Sequence, residues 1–150
     1  MTAAEVQAEA EIRQLLARCT QAGDARKAEA YAACYAPDGI LALDGGAVAG
    51  REAIRDWMRA PSVIPPPASG APGFVSHHLT TCSVAFDGRE AATARTYWLV
   101  TSAAGLDHNG FYVDRLVHDG GGWLIAHRRP RTLWISPASV LRRGDPAVTP

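Results

Sequence analysis

Between Phe74 and Ile135 the chain carries four runs dense in valine, threonine and aromatic residues, separated by turns too short to hold a helix. Such runs read as strands over residues 74–86, 91–102, 106–118 and 123–135. The turns are Asp87-Gly88, Ala103-Ala104-Gly105 and Asp119-Gly120-Gly121-Gly122. Neighbours joined by so few residues run antiparallel, because a parallel neighbour needs a crossover of a dozen residues or more. Three helical segments come before them. Ile12, Leu15, Leu16 and Cys19 share one face of a helix from about Ala3 to Ala22, ended by Gly23. Residues 25–35 bury Ala28, Tyr31, Ala32 and Tyr35 as a second helix, with Asp24 at its start, and Pro37-Asp38-Gly39 closes the pair as a turn. Residues 40–43 and 47–49 around Asp44-Gly45-Gly46 read as a brief peripheral hairpin. Gly50 opens a third helix to about Arg59, with Ile54, Trp57 and Met58 as its apolar stripe. Helices followed by sequential strands argue for α+β with an antiparallel sheet. A long sheet packing its helices on one face curves into a cone with a cavity at its open end.

With 150 residues, 47% of them hydrophobic, the chain suits one compact domain. The domain is expected over residues 1–135 and a C-terminal tail, loose or docked on a neighbour, over residues 136–150. Fifteen basic residues balance fifteen acidic ones, which gives no overall field for nucleic acid or an anionic membrane. Three cysteines without a CxxC pair argue against a disulfide framework and a structural zinc site, so reducing cytoplasm is the expected home. The start from Met1 has neither a basic cluster nor an apolar run, so no signal peptide is expected. No segment is apolar for long enough to span a bilayer. Residues 61–73 are rich in proline and glycine and read as a surface connection or a lid. Phosphate-binding and serine-hydrolase motifs are not found, nor HExxH.

His77 and His78 lie side by side in the first strand, so alternation sends one of them inward. An inward imidazole is either a satisfied core group or a proton-transfer group. Asp24 reads on its own as a helix cap. Asp114 and Arg128 read equally as a cross-strand ion pair and as catalytic groups. Tyr112, Trp57 and Trp98 read as core or as walls of a cavity.

The pattern resembles the SnoaL-like branch of the nuclear-transport-factor-2-like superfamily over residues 8–135. It consists of Ile12-x-x-Leu15-Leu16, Gly23-Asp24, tyrosines before Pro37-Asp38-Gly39, Gly50-x-x-x-Ile54, Ser76-His77-His78, and Gly110-Phe111-Tyr112-x-Asp114 leading to Gly122-Trp123-Leu124-Ile125-Ala126-His127-Arg128. The resemblance implies a cone-shaped, curved, mixed or antiparallel sheet wrapped around N-terminal helices and enclosing a hydrophobic pocket. In relatives such as scytalone dehydratase, hexachlorocyclohexane dehydrochlorinase and bile-acid dehydratases, an aspartate at the start of the second helix pairs with a histidine on the long strand. Asp24 and His77 match those positions. The implied function is a dehydratase, isomerase or cyclase acting on a hydrophobic cyclic or polyketide-like molecule, without cofactor or metal. Substrate-binding positions implied are Cys19, Trp57, Trp98, Tyr112, Asp114, His127 and Arg128. Cys19 stands where related enzymes carry a tyrosine or lysine as acid, and a thiol is a weak donor. The alternative is a noncatalytic binding or assembly subunit, like the small subunits of ring-hydroxylating dioxygenases. Relatives imply a homodimer through the sheet face.

Overall fold

The computed structural model describes residues 1–61 and 74–142; the proline-rich connection and the last residues of the chain lie outside them. Helix α1 (Ala3–Asp24) starts in a capping box, where Thr2 and Glu5 bond each other's backbone amides. It is followed by α2 (Ala28–Ala32), β1 (Tyr35–Leu43), β2 (Gly46–Ala49) and α3 (Arg51–Arg59), then β3 (Val75–Phe86), β4 (Ala91–Ser102), β5 (Gly105–His118) and β6 (Trp123–Ile135). The strands form one curved, unclosed sheet in the order β2-β1-β6-β5-β4-β3, with the helices packed on one face. Ile12, Leu15, Leu16 and Cys19 of α1 meet Tyr35, Leu41, Ile54, Leu116 and Ile125 in the core. Among the described residues, no helix is long and apolar enough to cross a membrane.

Three expectations need correction. The helix boundary at Gly23 lies later: Arg26 and Lys27 donate amides to Gly23 and Ala22, with Arg26 in the left-handed region at φ 55°. This is a Schellman closure with arginine where glycine is usual. Asp24 therefore ends α1 and does not begin α2, whose N-cap is Lys27. Gly23 has another use, since a Cβ there would lie 3.3 Å from the Tyr31 ring.

The second correction concerns residues 35–43, which form one strand through Pro37-Asp38-Gly39. The pairing of β1 with β6 is irregular between Tyr35 and Ile40, so the three residues bulge out of a strand that resumes beyond them. Gly39 is required there, because a Cβ would sit 2.9 Å from the Ile125 carbonyl. Arg51 donates two hydrogen bonds to the Tyr35 carbonyl from the start of α3. This strand is not peripheral, and it runs parallel to β6, which makes the sheet mixed. Third, residues 136–140 dock on their own sheet: Ser136 donates its amide to the Asp107 carbonyl, and Ser139 and Val140 are buried.

Candidate functional site

The site lies where the end of α1 meets the free edge of the sheet. Because β3 is an edge strand among the described residues, half of its backbone groups have no neighbouring strand there. Asp24 takes one of them: its Oδ2 accepts the His77 amide at 2.8 Å, while its Oδ1 lies 2.6 Å from His77 Nδ1. Both carboxylate oxygens are thus committed to one residue. The arrangement fixes the imidazole as the Nδ1–H tautomer and leaves Nε2 as the nitrogen able to take a proton. His78 points the other way, is exposed, and lies 3.2 Å from the Thr101 hydroxyl.

Strand pairing determines what surrounds His77. Val100 of β4 is opposite both His77 of β3 and His108 of β5, which places the two histidines in one row on the inner face. Their ring centroids are 6.3 Å apart, edge to face. One step along the strands, Trp98 lies 6.1 Å from His77, 5.6 Å from His108 and 5.7 Å from Tyr112. Gly110 is directly opposite Trp98, and a Cβ there would come 2.6 Å from the indole. The missing side chain is the indole's seat. Trp98 Nε1 is buried with no acceptor among the described residues.

Deeper on the same face, Arg128 donates Nε and Nη2 to the two oxygens of Asp114, each at 2.9 Å, with both side chains buried. Its guanidinium lies 4.2 Å from the Tyr112 ring centroid, and Nη1 reaches Cys19 Sγ at 3.5 Å. Asp114 and Arg128 thus form the cross-strand ion pair. Burial, partly offset by the charge of Arg128, pushes the Tyr112 hydroxyl up to about 12. The hydrogen bond with Cys34 and burial hold the Cys19 thiol well above its ordinary value, so it stays neutral at the floor of the site.

The structure thus gathers Asp24, His77, Trp98 and Tyr112, with Asp114, Arg128 and Cys19 beneath them. Trp57 lies apart on the half-exposed side of α3, 6.4 Å from the Tyr31 ring, and the buried stripe of that helix is Ile54 and Met58. His127 follows strand alternation to the face opposite Arg128, where burial and the charges of Arg115 and Arg129 lower its pKa. A groove of about 400 Å³ opens elsewhere, between α1, α2 and the start of β6, lined in part by Arg18, Lys27 and Cys34.

Sequence reasoning missed Asp107 and His108. Adjacent strand residues normally face opposite ways, yet both are buried. The pairing explains it: Val100 is opposite His108 and Thr101 is opposite Leu106, so Asp107 is the extra residue of a β-bulge that turns both side chains inward. A carboxylate next to an imidazole close to two glycines was the only signal in the sequence.

Residues 4–129 match the SnoaL-like domain. No functionally curated protein matches the sequence. Among solved structures, the chain is similar to a variant of Rv3472, a protein of unknown function from Mycobacterium tuberculosis. That match has 30% identity and a TM-score of 0.68, over 93% of this chain and 75% of the other. It is also similar to a nuclear-transport-factor-2-like protein with a cystatin-like fold from Novosphingobium aromaticivorans, at 25% identity and TM-score 0.72, covering 95% and 86%. Hexachlorocyclohexane dehydrochlorinase LinA-type3 from Novosphingobium barchaimii shares the fold, at 16% identity and TM-score 0.73, covering 89% and 91%.

Proposed function

The chain belongs to the SnoaL-like domain family, and on that premise we propose that it is a lyase or isomerase whose base is His77, held and oriented by Asp24. The observation that carries this reading is the 2.6 Å contact between Asp24 Oδ1 and His77 Nδ1, beside an inward aromatic wall. Nε2 of His77 removes a proton from carbon next to a carbonyl, and the Asp24 carboxylate stabilises the imidazolium that forms. The electron pair released then expels a leaving group, shifts a double bond or closes a ring. Trp98 and Tyr112 suit a flat, hydrophobic cyclic substrate.

A generic carbon acid tests the base. With 3-(4-nitrophenoxy)cyclohexanone, removal of the α-proton releases 4-nitrophenolate. His77→Gln is expected to slow release by about 10²–10⁴-fold while the fold is retained, and His78→Ala to stay within about twofold. A folded His77→Gln protein with wild-type turnover would overturn the mechanism.

One observation favours assembly through the sheet. Tyr97, Val113 and Trp134 are exposed on the outer face, and Arg95 lies 3.9 Å from the centroid of Phe111 beside them. A homodimer through this face accounts for them. Sedimentation velocity should show a dimer that Trp134→Asp dissociates, and a monomeric wild-type chain would refute it.

A further inference from the structure

Two thiols meet at the groove between α1, α2 and the start of β6. Cys34 is in the wall of that groove, together with Leu15 and Ala22 of α1. Those two residues lie one helical turn before and after Cys19, so Cys19 sits between them on the same face of the helix. Cys19 is fully buried, and its thiol shares a hydrogen bond with that of Cys34. The backbone of Cys34 is held by β6, since its carbonyl accepts the Ile125 amide at 2.8 Å. As a thiol, Cys34 donates to the Ala30 carbonyl at 3.4 Å; as a thiolate it accepts from Cys19. The hydrogen bond with Cys19, followed by the charges of Arg128 and Arg18, lowers the Cys34 thiol below its ordinary value against the effect of burial. One sulfur of the pair thus borders the groove and the other lies behind it. Charge in the groove has one sign: Arg18 and Lys27 line it, and no carboxylate does. Its volume of about 400 Å³ is that of a small-molecule site.

We propose that Cys34 and Cys19 are an exchanging dithiol, in which Cys34 attacks a small disulfide bearing carboxylates, seated by Arg18 and Lys27, and Cys19 resolves the product from behind. In the first step the Cys34 thiolate bonds to one sulfur of the disulfide, and the disulfide bond breaks with its electron pair on the departing thiolate. In the second, Cys19 gives up its proton and its sulfur bonds to that of Cys34, which expels the other half of the reagent as a thiolate. The two protons lost by the protein thiols end on the two departing thiolates. One protein disulfide has formed, and the reagent is reduced to two thiols. Cations beside Cys34 favour its thiolate and draw in a reagent of negative charge. In a reducing compartment such a pair rests as two thiols and closes when the small-disulfide pool rises. Cys19 Sγ also accepts from Arg128 Nη1 at 3.5 Å, so the link reaches the floor of the site that holds His77. The dithiol itself does not depend on the role of His77.

Oxidised glutathione, which carries carboxylates, and cystamine, a dication, are the two probes, and Cys82 on β3 is the internal reference. The reduced full-length chain treated with oxidised glutathione should lose two hydrogens in mass at the pair. Trypsin without reductant should then release residues 19–26 joined to residues 28–51, each of which holds one of the two cysteines. This mapping needs no variant. Cys19→Ser should stop at the mixed disulfide, with one glutathionyl group retained on Cys34, and Cys34→Ser should leave Cys19 a free thiol. Measured against Cys82, Cys34 should react about tenfold faster with oxidised glutathione than with cystamine. Arg18→Gln with Lys27→Gln should remove most of that preference. Wild-type chains in which Cys82 is modified while residues 19–26 and 28–51 stay unlinked would overturn the pairing. A glutathionyl group that persists on wild-type Cys34 would overturn the resolving role of Cys19, and equal reaction with both probes would overturn the anionic class of the reagent.

Discussion

Replacing Asp24 by asparagine should stop proton abstraction while leaving the protein folded. The carboxylate makes two bonds to His77, to the amide at 2.8 Å and to Nδ1 at 2.6 Å. An asparagine oxygen can keep the first. Its NH₂ then faces Nδ1 and needs an acceptor there, so the ring moves its proton to Nε2 and the outward nitrogen loses its lone pair. The base is lost, and its stabilising charge with it. A loss of about 10²–10⁴ in rate corresponds to about 3–5 kcal/mol of barrier. Stability should change less, because Asp24 caps no helix and exchanges two charged hydrogen bonds, both partly screened by solvent, for neutral ones, about 1–2 kcal/mol in all. In a domain of this size that lowers the melting temperature by roughly 2–8 °C. Release of 4-nitrophenolate gives the rate, calorimetry the melting temperature, and nitrogen-15 shifts the tautomer. An Asp24→Asn protein that retains more than about a tenth of the rate, or keeps its proton on Nδ1, would refute the reasoning.

Gly110→Ala should destabilise by about 3 kcal/mol or more, because its Cβ would overlap the Arg131 carbonyl and press on Trp98; a melting temperature within 2 °C of wild type would contradict the seat. Asp114→Asn leaves the buried Arg128 charge unneutralised and should cost about 3–5 kcal/mol by urea unfolding, whereas Asp114→Leu with Arg128→Met should come within about 2 kcal/mol of wild type; a single variant losing under 1 kcal/mol would show the pair to be dispensable. Acid should release residues 136–140, which Asp107 holds through the Ser139 hydroxyl and the Val140 amide. Asp107 ionises at about 2, below its unfolded value, so the stability it contributes is present above about pH 4 and lost as pH falls toward 2; the Val140 amide should lose hydrogen-exchange protection over that window in wild type and lack it already at neutral pH in Asp107→Ala.

Strands β4 and β6 fall where their composition places them, and β3 and β5 shift by one residue at their start, because alternation and glycine turns are local signals. Of strand β1, residues 40–43 were legible as one arm of the hairpin with β2, and residues 35–39 were not. Pro37-Asp38-Gly39 carries every mark of a turn, and what keeps it within a strand is pairing with β6, far along the chain. For Asp24 a local motif, the helix cap, competed with a long-range partner, and the structure gives both oxygens to that partner. Alternation sent one of His77 and His78 inward, and the family resemblance picked His77. The same rule hid Asp107 and His108, since one added residue in a strand leaves no trace in a two-residue period.

The parallel pairing of β1 with β6 has a kinetic consequence. Tyr35, Ile40 and Leu41 take Ile125, His127 and Arg128 as partners, so this seam joins parts of the chain made early and late in synthesis. The β3 to β6 meander can zip hairpin by hairpin through nearby contacts, whereas the seam must close a loop of most of the domain. On a ribosome, the apolar face of α1 and the strand after it wait for the last strand to emerge before they are covered. Slow closure of that seam, with Tyr35 and Leu41 open to solvent until it is complete, is the stage at which this fold is most open to aggregation and to help from a chaperone.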